Sequence, residues 1–511
     1  MRAFKSRSIA LVLTLVVLAS PVSSAASHLP QEPVGVNEKR AASFGSVVQN
    51  NTTAGDQKSS YGDPDQDVLG WEDGVWYNEP IEVNKDDGLT KRERQLYVAQ
   101  IKARVEHLRQ LEFEQPVSIE TISPSEYRTR TGNQLQFYNQ SGVSEWQNQV
   151  WEALFIVDEP SNFGSEYAAT VGSTTLGFYD PSTDTMVLPE SDEGNQYNDV
   201  VLAHEFTHAL QDQHFGIGLA RYYRHINTWD EVLGEQGLSE GDATYIHQQY
   251  LARCGNIWKC HETRSLFDYS NNVSNLNIGL ALYGFQPYSD GPVYVQELLH
   301  SGGWEAVNEA YRHPPRTSKR IIHPAQESTN TTAPLSFTDT SRNNWTTYRN
   351  AAVSQVWGEN GSDTVGEAGI YTMFWYQSQR HEENVIDPRS NFVPEQRGYD
   401  SLNYTSAPSE GWVNDRLIPY QNGAKRGYVW LTKWRSSRDA RQFHRAYLEL
   451  LGLNDAQRVS DNVWVISDGG FADAFYVVRD GRTVTVVNGP TPEDLTEIRP
   501  GINASSRNYS R

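Results

Sequence analysis

Cysteine is almost missing from this sequence, with two in 511 residues, Cys254 and Cys260. That scarcity excludes a small scaffold held by several disulfides and any zinc site built on four thiolates. Two cysteines so close together can close one small loop, and outside the cell they are expected to be joined. Lysine is scarce as well: ten of the 43 basic residues, against 64 acidic ones, for a net charge of −21. A surface of that sign makes nucleic acid and anionic membranes poor partners. An acidic, lysine-poor composition suits a protein kept soluble at high salt, where screening removes the self-repulsion. Beyond the first twenty or so residues no run is apolar enough to cross a membrane. Large aromatics are plentiful, with Trp 14, Tyr 27 and Phe 17, so the chain can pack two or three structural units.

The amino terminus has the form of an export signal. Arg2, Lys5 and Arg7 precede an apolar run from Ile9 to Ala19, and Pro21 with Ser23-Ser24-Ala25 offers a cleavage site after residue 25. Residues 1–25 are therefore expected to be a signal peptide, and the mature protein to be secreted or displayed outside the cell. Residues 26–66 have a disordered-linker composition. Asn-x-Ser/Thr sequons at Asn50, Asn51, Asn139, Asn272, Asn330, Asn344, Asn360, Asn403, Asn503 and Asn508 fit a glycoprotein.

The chemistry sits in the run from Val200 to Phe215, which contains His204-Glu205-Phe206-Thr207-His208. Residues four apart share a helix face, so His204 and His208 can hold one metal ion together. Glu205, turned by about 100°, can reach a water on that metal without being a ligand. This is the HExxH arrangement of zinc hydrolases. Val201, Leu202, Ala203, Phe206, Ala209 and Leu210 make the run helical, and Gly216 and Gly218 end it. A catalytic zinc takes three protein ligands. Glu240, at the start of a helical run with Ala243, Ile246 and Tyr250, is the leading third candidate, ahead of Glu235, Asp242 and His214. Asp212 or Asp242 is expected behind a ligand histidine to fix its tautomer, with Asp212 slightly favoured. His323, Tyr288 and Tyr294 are the candidate donors for an oxyanion.

Around this run the pattern is α+β. A hairpin is expected at Gly70–Tyr77, a helix capped by Thr90 to about Leu111, a strand from Val117 to Ile122, and a helix from Pro124. Residues 174–189 form the clearest hairpin, with an Asp-Pro-Ser-Thr-Asp turn, and one of its strands could pair with an extended peptide. A helical wall runs from Asn277 to Arg312. Residues 67–330 are read as the core, 331–495 as a C-terminal α+β lobe without a catalytic cluster, and 496–511 as a disordered tail.

His204-Glu205-x-x-His208 with a glutamate on a later helix resembles the gluzincin zinc metallopeptidases. The likeness is closer to exported, largely uncharacterised metallopeptidases of halophilic archaea and bacteria. It extends to Glu240-Gly241-Asp242-Ala243, Gly70-Trp71-Glu72, Pro287-Tyr288-Ser289-Asp290-Gly291, Gly302-Gly303-Trp304 and Ile322-His323-Pro324. The resemblance implies a zincin-like fold, one Zn2+ and hydrolysis of a peptide or protein substrate with Glu205 as general base. Thr244 departs from it, standing where gluzincins often carry an aspartate that orients a ligand histidine. The rival expectation is a non-catalytic surface or secreted binding protein with a structural or relic zinc site.

Overall fold

The computed structural model describes residues 64–502, apart from 65, 85–87, 141, 175–176, 191–196, 219–225, 262, 264–275, 327–334, 352, 354–360 and 398–399. The expected signal peptide, nearly all of the expected linker, most of the expected tail and seven of the ten sequons lie outside the described residues. Of the other three, Asn139 and Asn344 are exposed and Asn403 is half-buried.

The described chain opens with a two-residue hairpin, β1 (Trp71–Glu72) and β2 (Val75–Trp76). Asp73 and Gly74 both take positive φ between them, as a tight hairpin turn requires. Helix α1 (Lys91–Arg109) starts at a capping box in which Thr90 and Glu93 satisfy each other's backbone N–H. Strand β3 (Ser118–Ile122) and helices α2 (Pro124–Gln134), α3 (Val143–Ala153) and α4 (Phe163–Thr174) follow. The hairpin foreseen over residues 174–189 is shorter than its sequence pattern, because α4 runs through Thr174. Its strands are β4 (Phe178–Asp180) and β5 (Thr185–Pro189). β3 pairs parallel to β5, and β4 pairs antiparallel to it, which leaves β4 at an edge of the order β3-β5-β4.

Three long helices come next: α5 (Asp199–Phe215), α6 (Trp229–Arg253) and α7 (Ile278–Arg312). The sequence suggests a fresh helical start near Glu240, but α6 runs unbroken through Gly234, Gly237 and Gly241. Each of these glycines faces a packed neighbour: a Cβ on Gly234 would strike the backbone of Thr317, one on Gly237 the side chain of Ile321, and one on Gly241 the backbone of Gly291. They are contact points with α7, with the short helix Ser318–Ile322 and with the turn that leads into it, rather than breaks. The wall helix α7 is broken at Gly302 and Gly303, the latter at φ 67°. The short α8 (Ser318–Ile322) leads through β6 (Thr346–Thr347) to α9 (Gly366–Arg380) and the pair β7 (Phe392–Arg397) and β8 (Asp400–Leu402).

The chain closes with β9 (Trp412–Asn422), β10 (Lys425–Trp434), α10 (Ser437–Leu453), β11 (Gln457–Ser460), β12 (Val463–Val465), β13 (Ala474–Asp480), β14 (Thr483–Gly489) and α11 (Pro492–Ile498). The cap of α10 is Ser436, whose side chain accepts from Asp439 N. Among the described residues β6 and β9–β14 form one seven-stranded antiparallel sheet in the order β11-β12-β13-β14-β10-β9-β6. The fold is α+β. Ordered chain extends past 495, since Leu495 and Ile498 are fully buried beneath the sheet.

One core runs across residue 330. Trp151, Phe155 and Tyr283 share a cluster with Phe374, Trp430 and Phe443. Polar links cross the same boundary: Trp229 N donates to Asp363, and Asp230 N donates to Thr364 O. The C-terminal sheet packs on α3 and α9, and α9 in turn packs on α6 and α7. Cys254 and Cys260 are joined, closing a small loop at the end of α6. No helix among the described residues is long and apolar enough to cross a membrane.

Candidate metal centre

Helix α5 is buried on every side from Asp199 to Gln211, which explains its apolar flanks and its lack of a polar face. Its start is fixed by Asn198, whose side chain accepts from Val200 N and Val201 N, and by Asp199, which accepts from the Tyr97 hydroxyl at 2.5 Å. Its end is fixed by Gly216 in the left-handed region. The helix is therefore held at both ends, and its histidines point at α6.

His204 Nε2 lies 3.1 Å from His208 Nε2 and 3.2 Å from Glu240 Oε2, which is 3.3 Å from His208 Nε2. All three residues are at most 1% exposed. Among the described residues they are the one group of three or more His, Cys, Asp or Glu side chains close enough to hold a metal ion. Two bonds of about 2.05 Å at the tetrahedral angle put ligand atoms about 3.3 Å apart, so the spacing fits zinc. Glu240 Oε1 is buried without a hydrogen-bond partner.

Charge at the triad is already polarised. Burial opposes ionisation of His208, but the charge and hydrogen bond of Glu240, with Glu205 and Gln211, outweigh it and raise its pKa to about 9. Burial likewise opposes ionisation of Glu240, yet His208 and His204 bring it down to about 2. The pocket favours a cation among these atoms, whether a proton or a metal. Burial raises Glu205 to about 7, helped by the charge of Glu240 and opposed by His208 and the backbone N–H of Tyr179 in β4. Glu205 Oε2 has no hydrogen-bond partner.

The groups behind the ligands differ from those expected. Asp212 contacts neither histidine: it accepts from Gly218 N at 2.8 Å and faces the Tyr179 hydroxyl at 3.4 Å. The partner of His208 Nδ1 is Gln211 Oε1 at 2.9 Å. The Gln211 amide donates to Ser239 O at 2.9 Å and to Asp242 Oδ2 at 3.3 Å. Asp242 thus acts one step further back, where it also accepts from Arg109 Nε and the Tyr311 hydroxyl, each at 2.9 Å. His204 Nδ1 faces His247 Nδ1 at 3.2 Å. With His204 donating from Nδ1, its Nε2 is free to bind a metal.

Of the remaining sequence candidates, only Tyr288 reaches the centre, its ring stacked on His204 with centroids 6.2 Å apart. Tyr294 lies against the Arg320 guanidinium, and His323 Nε2 is 2.9 Å from Glu367. His214 Nε2 meets Glu112 O at 2.7 Å. Glu235 is buried and lies within electrostatic reach of Glu240 and His208, but it does not join the close triad. Gln211 and His247 escaped the sequence reading, although their spacing was visible: three residues after His208 and seven after Glu240.

A family model described as a domain of unknown function (DUF8575) matches residues 353–499, which take in the C-terminal sheet from β9 onward with its helices and none of His204, Glu205, His208 or Glu240. No curated protein and no solved structure matches the chain.

Proposed function

We propose that this chain is an exported zinc-dependent peptidase that hydrolyses peptide bonds, with Glu205 as general base. The observation that carries the reading is the convergence of His204 Nε2, His208 Nε2 and Glu240 Oε2 within 3.3 Å beside a glutamate with a free oxygen. The chemistry zinc supplies when bound is Lewis acidity, which polarises a carbonyl and lowers the pKa of water toward about 7. The protein does the rest. Gln211 and His247 hold the two imidazoles with Nε2 toward the metal. Glu205 takes the proton of the attacking water and gives it to the leaving amine. The outer edge of β4 runs past Glu205, and an extended peptide added there would bring its backbone to the base.

Deep burial of all four groups also favours the rival, a non-catalytic protein with a structural metal. A structural site, however, gains nothing from a glutamate between its histidines whose carboxylate is left partly unpartnered. The two readings separate when zinc-loaded mature protein is incubated with a peptide mixture and the products are identified by mass spectrometry, with and without a chelator. We expect chelator-sensitive cleavage, and a fall of at least about 100-fold in Glu205→Gln with zinc retained. Zinc binding without cleavage by the unsubstituted protein would favour the rival.

A further inference from the structure

Tyr127, on α2, is a buried residue with an unexplained hydroxyl. Its ring packs on Phe178 of β4, centroids 5.6 Å apart, in a small cluster with Ile122 and Val187. The residue is 4% exposed, and its hydroxyl has no hydrogen-bond partner. Packing alone would be better served by phenylalanine, since a buried hydroxyl loses its water hydrogen bonds and here gains nothing in return.

The charge that reaches this hydroxyl is that of Glu205. Burial first, and the Glu205 carboxylate second, hold the Tyr127 pKa well above 10, so the group is a neutral donor. Glu205 in turn accepts from the backbone N–H of Tyr179, the residue next to Phe178. The two side chains therefore meet at the same edge strand, one carrying a free acceptor and the other a free donor. A ligand satisfying both presents a proton to Glu205 and a lone pair to Tyr127, as water and a peptide carbonyl do together. Of the donors expected from the sequence, His323 is engaged on Glu367 and Tyr294 on Arg320, while Tyr288 lies with its ring against the ligand His204.

We propose that Tyr127 is a catalytic residue whose hydroxyl donates a hydrogen bond to the substrate carbonyl oxygen as that oxygen becomes negatively charged. The proposal rests on the peptidase reading. In the step, Glu205 takes a proton from water and the new C–O bond forms at the carbonyl carbon. The carbonyl π pair moves onto the oxygen that faces Tyr127. On collapse the C=O reforms, the C–N bond breaks, and the amine leaves with the proton held by Glu205. Tyr127 keeps its own proton throughout.

The test is Tyr127→Phe in the zinc-loaded mature protein, which keeps the ring and removes only the donor. Loss of one such donor lowers kcat by about 100- to 1,000-fold. KM and zinc affinity should remain as in the unsubstituted protein, and Tm should hold or rise. A second readout does not need turnover: a peptide phosphonate, which carries a tetrahedral anion, should bind about 10-fold or more weakly to the variant. Unchanged kcat with unchanged phosphonate affinity would overturn the proposal and leave Tyr127 a packing residue. If the unsubstituted protein binds zinc but cleaves nothing, the peptidase reading falls. The phosphonate measurement then decides Tyr127 alone, with weakened binding supporting the donor and equal or absent binding overturning it.

Discussion

Gln211 gives His208 a fixed tautomer without adding charge. An amide can accept from Nδ1 only when its own N–H groups point the other way, and here they donate to Ser239 O and Asp242. The charge of Asp242 is kept one residue back and paired with Arg109, whose guanidinium lies over the rings of Trp304 and Phe215. Gln211→Leu should therefore release the His208 ring and weaken zinc binding by about 10- to 100-fold. Competition against a chromophoric chelator measures this, and an unchanged affinity would detach Gln211 from the site. His204, Glu205 and His208 were legible in the sequence because helical spacing is local and their chemistry is specific. Gln211 and His247 share those spacings, but a search for acidic partners passes over neutral ones. Asp212 was misplaced because its four-residue step from His208 carries it one turn on, where Gly218 N claims it. Tyr127 could not be seen at all, since its approach to Glu205 depends on how α2 packs over β4.

At the level of elements, the position of Glu240 depends on how closely α6 and α7 approach. Glycine in a helix interior costs about 1 kcal/mol relative to alanine, so three on one face of α6 need a return from packing. At Gly241 a Cβ would sit 2.4 Å from the carbonyl carbon of Gly291, a contact between two backbones that neither can relieve by rotating a side chain. Gly241→Ala should force the helices apart and destabilise the fold by about 1–3 kcal/mol, moving the neighbouring Glu240 and weakening zinc binding. Gly452→Ala, in α10 where a Cβ meets nothing within 4 Å, is the matched control. It should be neutral or stabilising by up to about 1 kcal/mol. Urea unfolding of the two variants checks both signs. The same glycines explain why the sequence pattern split α6 near Glu240: locally they weaken a helix, and only the partner helix shows their use. Caps and tight turns were legible for the opposite reason, since Thr90 and the Asp-Pro-Ser-Thr-Asp turn act on their own neighbours. Strands β11 and β12, with four and three residues, are too short to display an alternation.

Across the whole molecule, an acidic chain has buried several of its carboxyl groups where the C-terminal sheet meets the helices. Glu152 on α3 and Asp473 just before β13 act on each other: burial and the charge of Asp473 raise the Glu152 pKa well above the usual carboxylate range, and burial raises Asp473 to about 7. Asp230, at the start of α6, is raised to about 8, again by burial, against the hydrogen bonds from Ser318. The sign follows from proton counting. Between the unfolded carboxyl range near 4 and these folded values, the native state binds more protons than the unfolded chain, so stability falls as pH rises. For Asp473 and Asp230 the contribution is complete below about pH 4 and has been lost by about pH 8. The metal-free protein should accordingly melt at a higher temperature at pH 5 than at pH 8. Asp473→Asn removes one of the responsible groups while leaving an oxygen to accept from Asn488, which donates at 2.9 Å in the native protein. In that variant the difference in Tm between pH 5 and pH 8 should shrink, mainly through a gain at pH 8. Calorimetry at the two pH values decides it: an undiminished difference would mean that the joint between sheet and helices does not titrate in this range, and that the loss of stability arises at the metal-facing groups instead.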